Sequence, residues 1–242
     1  PHIDQLKDDI KDIAPVADTL KEIADIMKGG QNTRLPIATQ AVSGKNPILR
    51  VVAPYYNAGT ATKTMVIVSA PPSYGKSYSI NILGQSYDEC FTHGCSDDVD
   101  EWSDLQGECK VKTEGGFIIS DGKLVQAMRS ASEGKKTLFF MDEIYRLSPK
   151  VAEKLLDFLA PQKDKNGVVK YRLTTKQNKN GVLEVLEADI DKLHIIGATN
   201  LSEVAPIEAF QDRFLIKHIQ YKKEIIQEIA ESVADSYGIS DP

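Results

Sequence analysis

No apolar run in this 242-residue chain approaches the roughly 18–20 residues that a membrane-spanning helix needs. The opening residues, Pro1-His2-Ile3-Asp4, do not resemble a secretory signal. Cysteine is scarce and odd in number, at three, so a disulfide scaffold is excluded and a reducing compartment fits. Positive charge is also in deficit. A net charge of −6 argues against a surface that binds nucleic acid throughout, although local charge can differ from the average. With no membrane partner indicated, the expected location is the cytoplasm. The 41% hydrophobic and 26% charged residues are ordinary for a globular chain able to bury one sizeable core.

What is present is concentrated in a few stretches. The β-branched run Val66-Ile67-Val68 feeds a tight loop, Ala70-Pro71-Pro72-Ser73-Tyr74-Gly75-Lys76-Ser77-Tyr78, which opens a helix. Such a loop cradles phosphate. Its N–H groups and the helix N-terminus face an anion, Lys76 reaches the β and γ oxygens, and the Ser77 hydroxyl suits Mg²⁺. Ala70 stands where the G-x-x-x-x-G-K-[ST] pattern has its first glycine, and Ser73 where many such loops have another. If Ser73 needs positive φ, the cost is about 1 kcal/mol. The competing interpretation is an ordinary Gly-containing turn with a surface lysine.

A second element decides between them. Thr137-Leu138-Phe139-Phe140-Met141 is too continuously apolar for a one-sided strand and reads as a buried parallel strand, ending in Asp142-Glu143. Ligands of α/β sheets sit at the carboxyl ends of strands, so these acids would emerge beside the phosphates, one facing metal and the other facing water. A third strand, Leu193 to Thr199, ends at Asn200, which suits orienting that water. Arg213, flanked by Phe210 and Phe214, is placed to stabilise a transferred phosphate. Its other reading is a surface salt bridge to Asp212 or Glu208.

At this point the chain resembles the AAA+ ATPases, and more narrowly their MoxR-like, dynein-related (midasin-like) branch, over roughly residues 45–225. The residues that carry the resemblance are the Walker A loop Ala70–Ser77, Walker B with Met141-Asp142-Glu143-Ile144-Tyr145-Arg146-Leu147-Ser148-Pro149, the sensor 1 stretch Gly197-Ala198-Thr199-Asn200, and Asp212-Arg213-Phe214, which looks like the arginine-finger motif. Asp104-Leu105-Gln106-Gly107 with Gly122-Lys123-Leu124 and Ala127 looks like a hairpin inserted into the second helix. Residues 170–189 look like another, with strands Tyr171–Thr175 and Val182–Leu186 around Asn178-Lys179-Asn180-Gly181.

The resemblance implies an α/β fold, a parallel-sheet P-loop NTPase (the AAA+ large subdomain) with helices on both faces and two inserted β-hairpins. It implies that Lys76 and Ser77 hold phosphate and Mg²⁺, that Asp142 completes the metal site, that Glu143 polarises water and that Asn200 positions it. Arg213 would act on a neighbour's nucleotide in a homo-oligomer, a hexameric ring by resemblance. ATP is favoured over GTP, because Asn178-Lys179 runs into Asn180-Gly181 and no Asn-Lys-x-Asp guanine signature occurs.

The expected organisation is an N-terminal amphipathic helix over 1–29, a linker over 30–44, the nucleotide-binding domain over 45–221, and the start of a truncated helical lid over 222–242. With no initiator methionine and only Lys222–Pro242 left for a lid, the chain reads as trimmed or as a fragment of a larger protein. Ile3, Leu6, Ile10, Ile13, Val16, Leu20, Ile23 and Ile26 form the apolar stripe of the first helix, which would pack on the core or a neighbouring subunit rather than on cargo. Tyr55 or Tyr56 would either stack on adenine or join the core. Cys90, His93, Cys95 and Cys109 invite a zinc site, but strand alternation would separate them, and small buried thiols are the preferred reading.

Three functions follow. The first is a ring-forming ATPase that remodels a protein partner through pore-facing hairpins. The second is a nucleic-acid motor or loader, supported by Lys163, Lys165, Lys170, Arg172, Lys176 and Lys179, which otherwise form a solvated loop. The third is an ATP-dependent assembly switch with little turnover.

Overall fold

The computed structural model describes residues 46–57, 65–98, 101–111, 117–175, 183–200 and 203–220, with residues 224, 227 and 231. The N-terminal helix and linker expected over 1–44 lie outside this set. The chain divides into two units, one of Val51–Gln220 and one of Pro1–Arg50 with Tyr221–Pro242. Among the described residues, no helix is long and apolar enough to cross a membrane.

Helix α1 (Pro47–Asn57) starts at Asn46, whose Oδ1 accepts the N–H groups of Ile48 (3.0 Å) and Leu49 (3.1 Å), satisfying two otherwise orphan donors. Tyr55 and Tyr56 fall within α1, and their side chains are outside the description.

The remaining unit is built on five parallel strands: β1 (Met65–Ser69), β2 (Glu89–Gly94), β5 (Thr137–Asp142), β9 (Leu193–Thr199) and β10 (Phe214–His218). Their order is β10-β1-β9-β5-β2, so the strands that open, nearly close and bisect the chain lie side by side at the centre. Burial on both faces explains the continuous apolar runs: all five residues of β1 are buried. On β5, Phe139 and Met141 join the core with Leu124, Val125 and Met128 of helix α4 (Lys123–Ser132). The alternate residue Leu138 lies on the side of helix α2 (Lys76–Gly84), where a Cβ on Gly84 would sit 3.7 Å from it. The period of two thus places one helix on each face.

Helix α3 (Glu101–Gln106) leads into the first hairpin, β3 (Gly107–Val111) paired antiparallel with β4 (Phe117–Asp121), and α4 resumes at Lys123. Two glycines make this junction. A Cβ on Gly122 would lie 2.5 Å from the Gly107 nitrogen and the Asp104 oxygen, and Gly107 itself has φ +104°. The insertion expected from Asp104–Gly107 and Gly122–Leu124 therefore has a steric cause.

A second insertion follows helix α5 (Pro149–Phe158), whose Ser148 cap accepts the Val151 N–H at 3.4 Å. It has three strands, not two: β6 (Gln162–Lys163), β7 (Val169–Thr174) and β8 (Val185–Asp189). The return strand begins at Val185, three residues later than the sequence suggested, because the Thr175 N–H donates to the Glu184 oxygen (2.8 Å) and Thr174 pairs with Val185. Its turn over 176–182, with Lys176 and Lys179, is outside the described residues. Lys170 and Arg172 are not free basic groups: Lys170 lies 3.2 Å from Asp164 and 3.8 Å from Asp189, and Arg172 lies 2.8 Å from Glu187.

The expectation of small buried thiols holds for Cys95 and fails for Cys90, which is exposed. The strand ends at Gly94, so alternation no longer governs Cys95, which folds back into the core. The side chain of Cys109 is outside the description.

Candidate active site

Because β1, β9 and β5 are parallel neighbours, their carboxyl ends at Ser69, Thr199 and Asp142 open on the same edge of the sheet. The loop that leaves β1 is tied to β9 by the Ala70 N–H, which donates to the Thr199 oxygen at 3.2 Å. Ala70 is fully buried and its φ is negative, so the methyl in place of the expected glycine meets no strain. Ser73 is different. It adopts φ 64°, the left-handed region that favours glycine, and Gly75 adopts φ 67°. Two left-handed residues separated by Tyr74 curl the backbone, and Gly75 caps α2 without any side-chain bond, leaving the first helical N–H groups facing outward.

Lys76 is the first residue of α2 and only 8% exposed. Its ammonium donates to the Ala70 oxygen (3.1 Å), the Pro71 oxygen (3.0 Å) and Asn200 Oδ1 (3.0 Å), so all three donors are used. Burial lowers its pKa below the usual lysine value, against the attraction of Asp142, Glu203 and Glu143. An added anion would therefore find a partly desolvated cation held by neutral oxygens, which it can outbid by charge.

The hydroxyl of Ser77 donates to Asp142 Oδ2 at 2.5 Å, across 65 residues of sequence. Asp142 Oδ1 accepts the Glu143 N–H at 3.1 Å. Glu143 stands at φ 55°, a conformation that turns the chain sharply out of β5 and into the single 3₁₀ turn Ile144–Arg146. Strained backbone of this kind costs about 1–3 kcal/mol and persists where the surroundings over-determine it. Here the surroundings are Asp142 below and Arg146 above: Arg146 Nη1 lies 2.5 Å from Glu143 Oε2, and its N–H donates to the Glu143 oxygen at 2.8 Å.

Two residues of this network are not evident from motif spacing. Glu203 Oε2 accepts the Thr199 hydroxyl (2.7 Å) and the Asn200 N–H (3.1 Å), while Oε1 accepts Asn200 Nδ2 (3.1 Å) and Arg146 Nε (3.3 Å). Burial works to raise the Glu203 pKa, but these hydrogen bonds outweigh it and hold the carboxyl below its usual range. With Nδ2 committed to Glu203, Asn200 must present Oδ1 to Lys76. Arg146 stands three residues after Glu143 within the Walker B stretch, where the sequence assigns it no role, and Glu203 stands three residues after Asn200, a spacing that is its only trace in the sequence.

Loop residues 72–78 with Asp142, Glu143, Arg146 and Asn200 enclose a cleft of about 410 Å³. Lys76, Ser77, Asp142, Glu143 and Asn200 are thus brought together as expected. Arg213 is not among the lining residues. It occupies an exposed turn between helix α6 (Glu208–Gln211) and β10, anchored on either side by buried Phe210 and Phe214, whose rings are 5.2 Å apart. Among the described residues it forms no salt bridge with Asp212 or Glu208.

Residues 71–214, more than half of the chain, match the family described as the AAA domain of the dynein-related subfamily. The chain belongs to that family. The AAA domain is an ATP-binding P-loop hydrolase, and the five-stranded parallel sheet with its flanking helices is the corresponding α/β fold. Among solved structures, the chain is similar to a Cytophaga hutchinsonii protein to which an ATPase function has been ascribed, with 18% identity and a TM-score of 0.49. That similarity covers 97% of this chain and 66% of the other. No curated protein matches the chain.

Proposed function

We propose that this AAA domain is the nucleotide-binding part, over residues 45–221, of a MoxR-like ATPase that works as a cytoplasmic homo-oligomeric ring, hexameric by resemblance, and remodels a protein partner. The observation that carries the reading is the meeting of Ser77 and Asp142 at 2.5 Å beside Lys76. An all-oxygen pair of hydroxyl and carboxylate suits a hard divalent cation, so Ser77 and Asp142 are the residues that would hold Mg²⁺. Bound there, Mg²⁺ would offset charge on the β and γ phosphates.

The protein's own groups have separate tasks in this scheme. The backbone N–H groups of the loop and the first turn of α2, with the Lys76 ammonium, bind the phosphates. Glu143 accepts hydrogen-bond density from the attacking water and draws its proton, and Asn200, fixed by Glu203, holds that water in line. The γ-phosphate then departs from ADP as inorganic phosphate, with its growing charge met by Lys76 and by Arg213 of a neighbouring copy. Exposure of Arg213 away from its own cleft supports a role in trans. The ion pairing of Lys170 and Arg172 within the second insertion supports a protein partner over nucleic acid, since those cations are already matched.

Phosphate release with and without Mg²⁺ tests the scheme. Lys76→Ala is expected to abolish ATP binding, whereas Glu143→Gln retains binding and lowers turnover by roughly 10²–10⁴, the usual contribution of a general base. Equal rates in parent and Glu143→Gln would reduce the molecule to an assembly switch. For Arg213→Ala, mixing with Glu143→Gln subunits is the decisive measurement: recovery of activity in the mixture demonstrates a site shared between copies, and a fully active Arg213→Ala protein removes the role.

A further inference from the structure

The end of β2 and the first turn of α3 carry a second cluster whose side chains do not line the nucleotide cleft. His93, Cys95 and Glu101 are 8%, 5% and 1% exposed, and one donor atom from each, imidazole nitrogen, thiol sulfur and carboxylate oxygen, lies within 4.8 Å of the others. His93 Nε2 and Glu101 Oε1 are 3.0 Å apart, and Oε1 also accepts the Ser96 N–H at 2.8 Å. The other oxygen, Glu101 Oε2, is enclosed and has no hydrogen-bond partner. Buried carboxylate oxygens are almost always satisfied, because an unmet one costs several times the worth of a hydrogen bond. An orphan on the carboxylate that faces a thiol and an imidazole suits a bound cation.

We propose that His93, Cys95 and Glu101 bind one borderline transition-metal ion, with Zn²⁺ the best match, which clamps the end of β2 to α3. Thiol, imidazole and carboxylate are together the donor set of zinc, and the thiol discriminates against Mg²⁺ and Ca²⁺. Three protein ligands leave a fourth position for water. On binding, the Cys95 Sγ–H bond breaks and its proton leaves to solvent as the sulfur–metal bond forms, while the His93 Nε2–H bond breaks with its proton passing to Nδ1, so that Nε2 and the unpartnered Glu101 Oε2 can each bond the metal.

The position explains what such an ion would do. Cys95 donates its N–H to the Asp142 oxygen at 2.7 Å, and α3 runs directly into the Gly107–Gly122 junction of the first hairpin. A clamp here stiffens the path between the Walker B strand and that hairpin. Among the described side chains of the four residues that the sequence suggested for zinc, His93 and Cys95 meet, and the third ligand, Glu101, comes from a helix eight residues after His93.

The chain has three cysteines, and Cys90→Ser/Cys109→Ser leaves Cys95 alone. Titrating the metal-stripped chain and this double variant with Co²⁺ should give, in both, a saturable thiolate-to-cobalt charge-transfer band that Zn²⁺ displaces. Asp142→Asn, altered in the nucleotide cleft, should keep the band. Cys95→Ser should lose it, and His93→Gln should weaken binding by at least about 100-fold, the upper end of what an outer-shell partner contributes. On the parent chain, Zn²⁺ should also raise the melting temperature. Absence of a saturable band in the parent, its loss in Cys90→Ser/Cys109→Ser, or its survival in Cys95→Ser overturns the proposal. Should Cys95→Ser fail to fold, the parent and double variant still decide.

Discussion

At the scale of single residues, the proposed site separates groups that would bind nucleotide from groups that hold other groups in place. Arg146 and Glu203 belong to the second kind, yet their energetic weights differ. The Arg146–Glu143 pair is half exposed, at 52% and 37%, and exposed pairs contribute at most about 1 kcal/mol. Glu203 is 20% exposed and accepts four hydrogen bonds, two of them from Asn200. Removing it strands the Thr199 hydroxyl and both Asn200 donors. Glu203→Ala is therefore expected to cost about 2–3 kcal/mol and Arg146→Ala less than about 1 kcal/mol in urea unfolding. Glu203→Ala should also lower kcat with little change in ATP affinity, because Asn200 loses its fixed orientation while Lys76 keeps two backbone acceptors. A Glu203→Ala protein with parental kcat would leave Glu203 as a purely structural residue. Ser73 makes a complementary case: its φ of 64° suits glycine, so Ser73→Gly should retain binding, whereas the β-branched Ser73→Val should lose about 1–3 kcal/mol in the same assay.

At the scale of elements, the site depends on how closely β9 approaches the turn after β5. A Cβ on Gly197 would fall 2.9 Å from Ile144 Cδ1 and 3.1 Å from Ile67 Cγ1, and both isoleucines are fully buried. Gly197→Ala is thus an overpacking change of about 1–3 kcal/mol that pushes on the residue directly after Glu143. Ile144→Val removes the nearest methyl, so the double variant should recover part of the stability lost in the single one; additive losses would show that the two positions do not touch. This contact also marks the limit of what can be read from sequence. Apolar runs and their polar ends pointed to Lys76, Ser77, Asp142, Glu143 and Asn200, which line one cleft, because burial on two faces and the carboxyl-edge rule are local in their signature. Gly197, Glu203 and Glu101 act through contacts set by packing between elements, and a lone glycine or glutamate carries no periodic signal. The two-residue strand β6 and the late start of β8 escaped for a related reason: strand ends are fixed by cross-strand partners such as Thr175 and Glu184, not by propensity. Arg129 joins both insertions to α4, at 2.8 Å to Asp121 and 2.9 Å to Glu184, which again only the fold reveals.

At the scale of the whole domain, the end of the sheet opposite the cleft sets a pH limit on stability. His194, near the start of β9, has Tyr87 Oη 2.7 Å from its Nδ1 and packs edge-on against the Tyr87 ring at 5.4 Å. Burial, reinforced by Lys136 and opposed by Asp191, lowers its pKa to about 4 from 6.5. In the folded state the imidazole is consequently neutral throughout the range in which the unfolded chain takes up a proton. The unfolded state binds more protons below pH 6.5, so the stabilisation is complete above that value and is lost as pH falls towards 4. The interval of about 2.5 pKa units corresponds to about 3 kcal/mol, a substantial share of the 5–15 kcal/mol typical of a domain. Carboxylates titrate in the same range, so the parent profile alone does not isolate the effect; the difference from His194→Gln does. Glutamine retains an acceptor for the Tyr87 hydroxyl but takes up no proton. Urea midpoints measured between pH 4 and 7 should then fall more steeply for the parent, by close to one proton in the slope, and parallel profiles would show that His194 titrates alike in both states. Because this histidine lies at the amino ends of the strands and the cleft at their carboxyl ends, the acid sensitivity should reach stability without altering ATP affinity at pH 7.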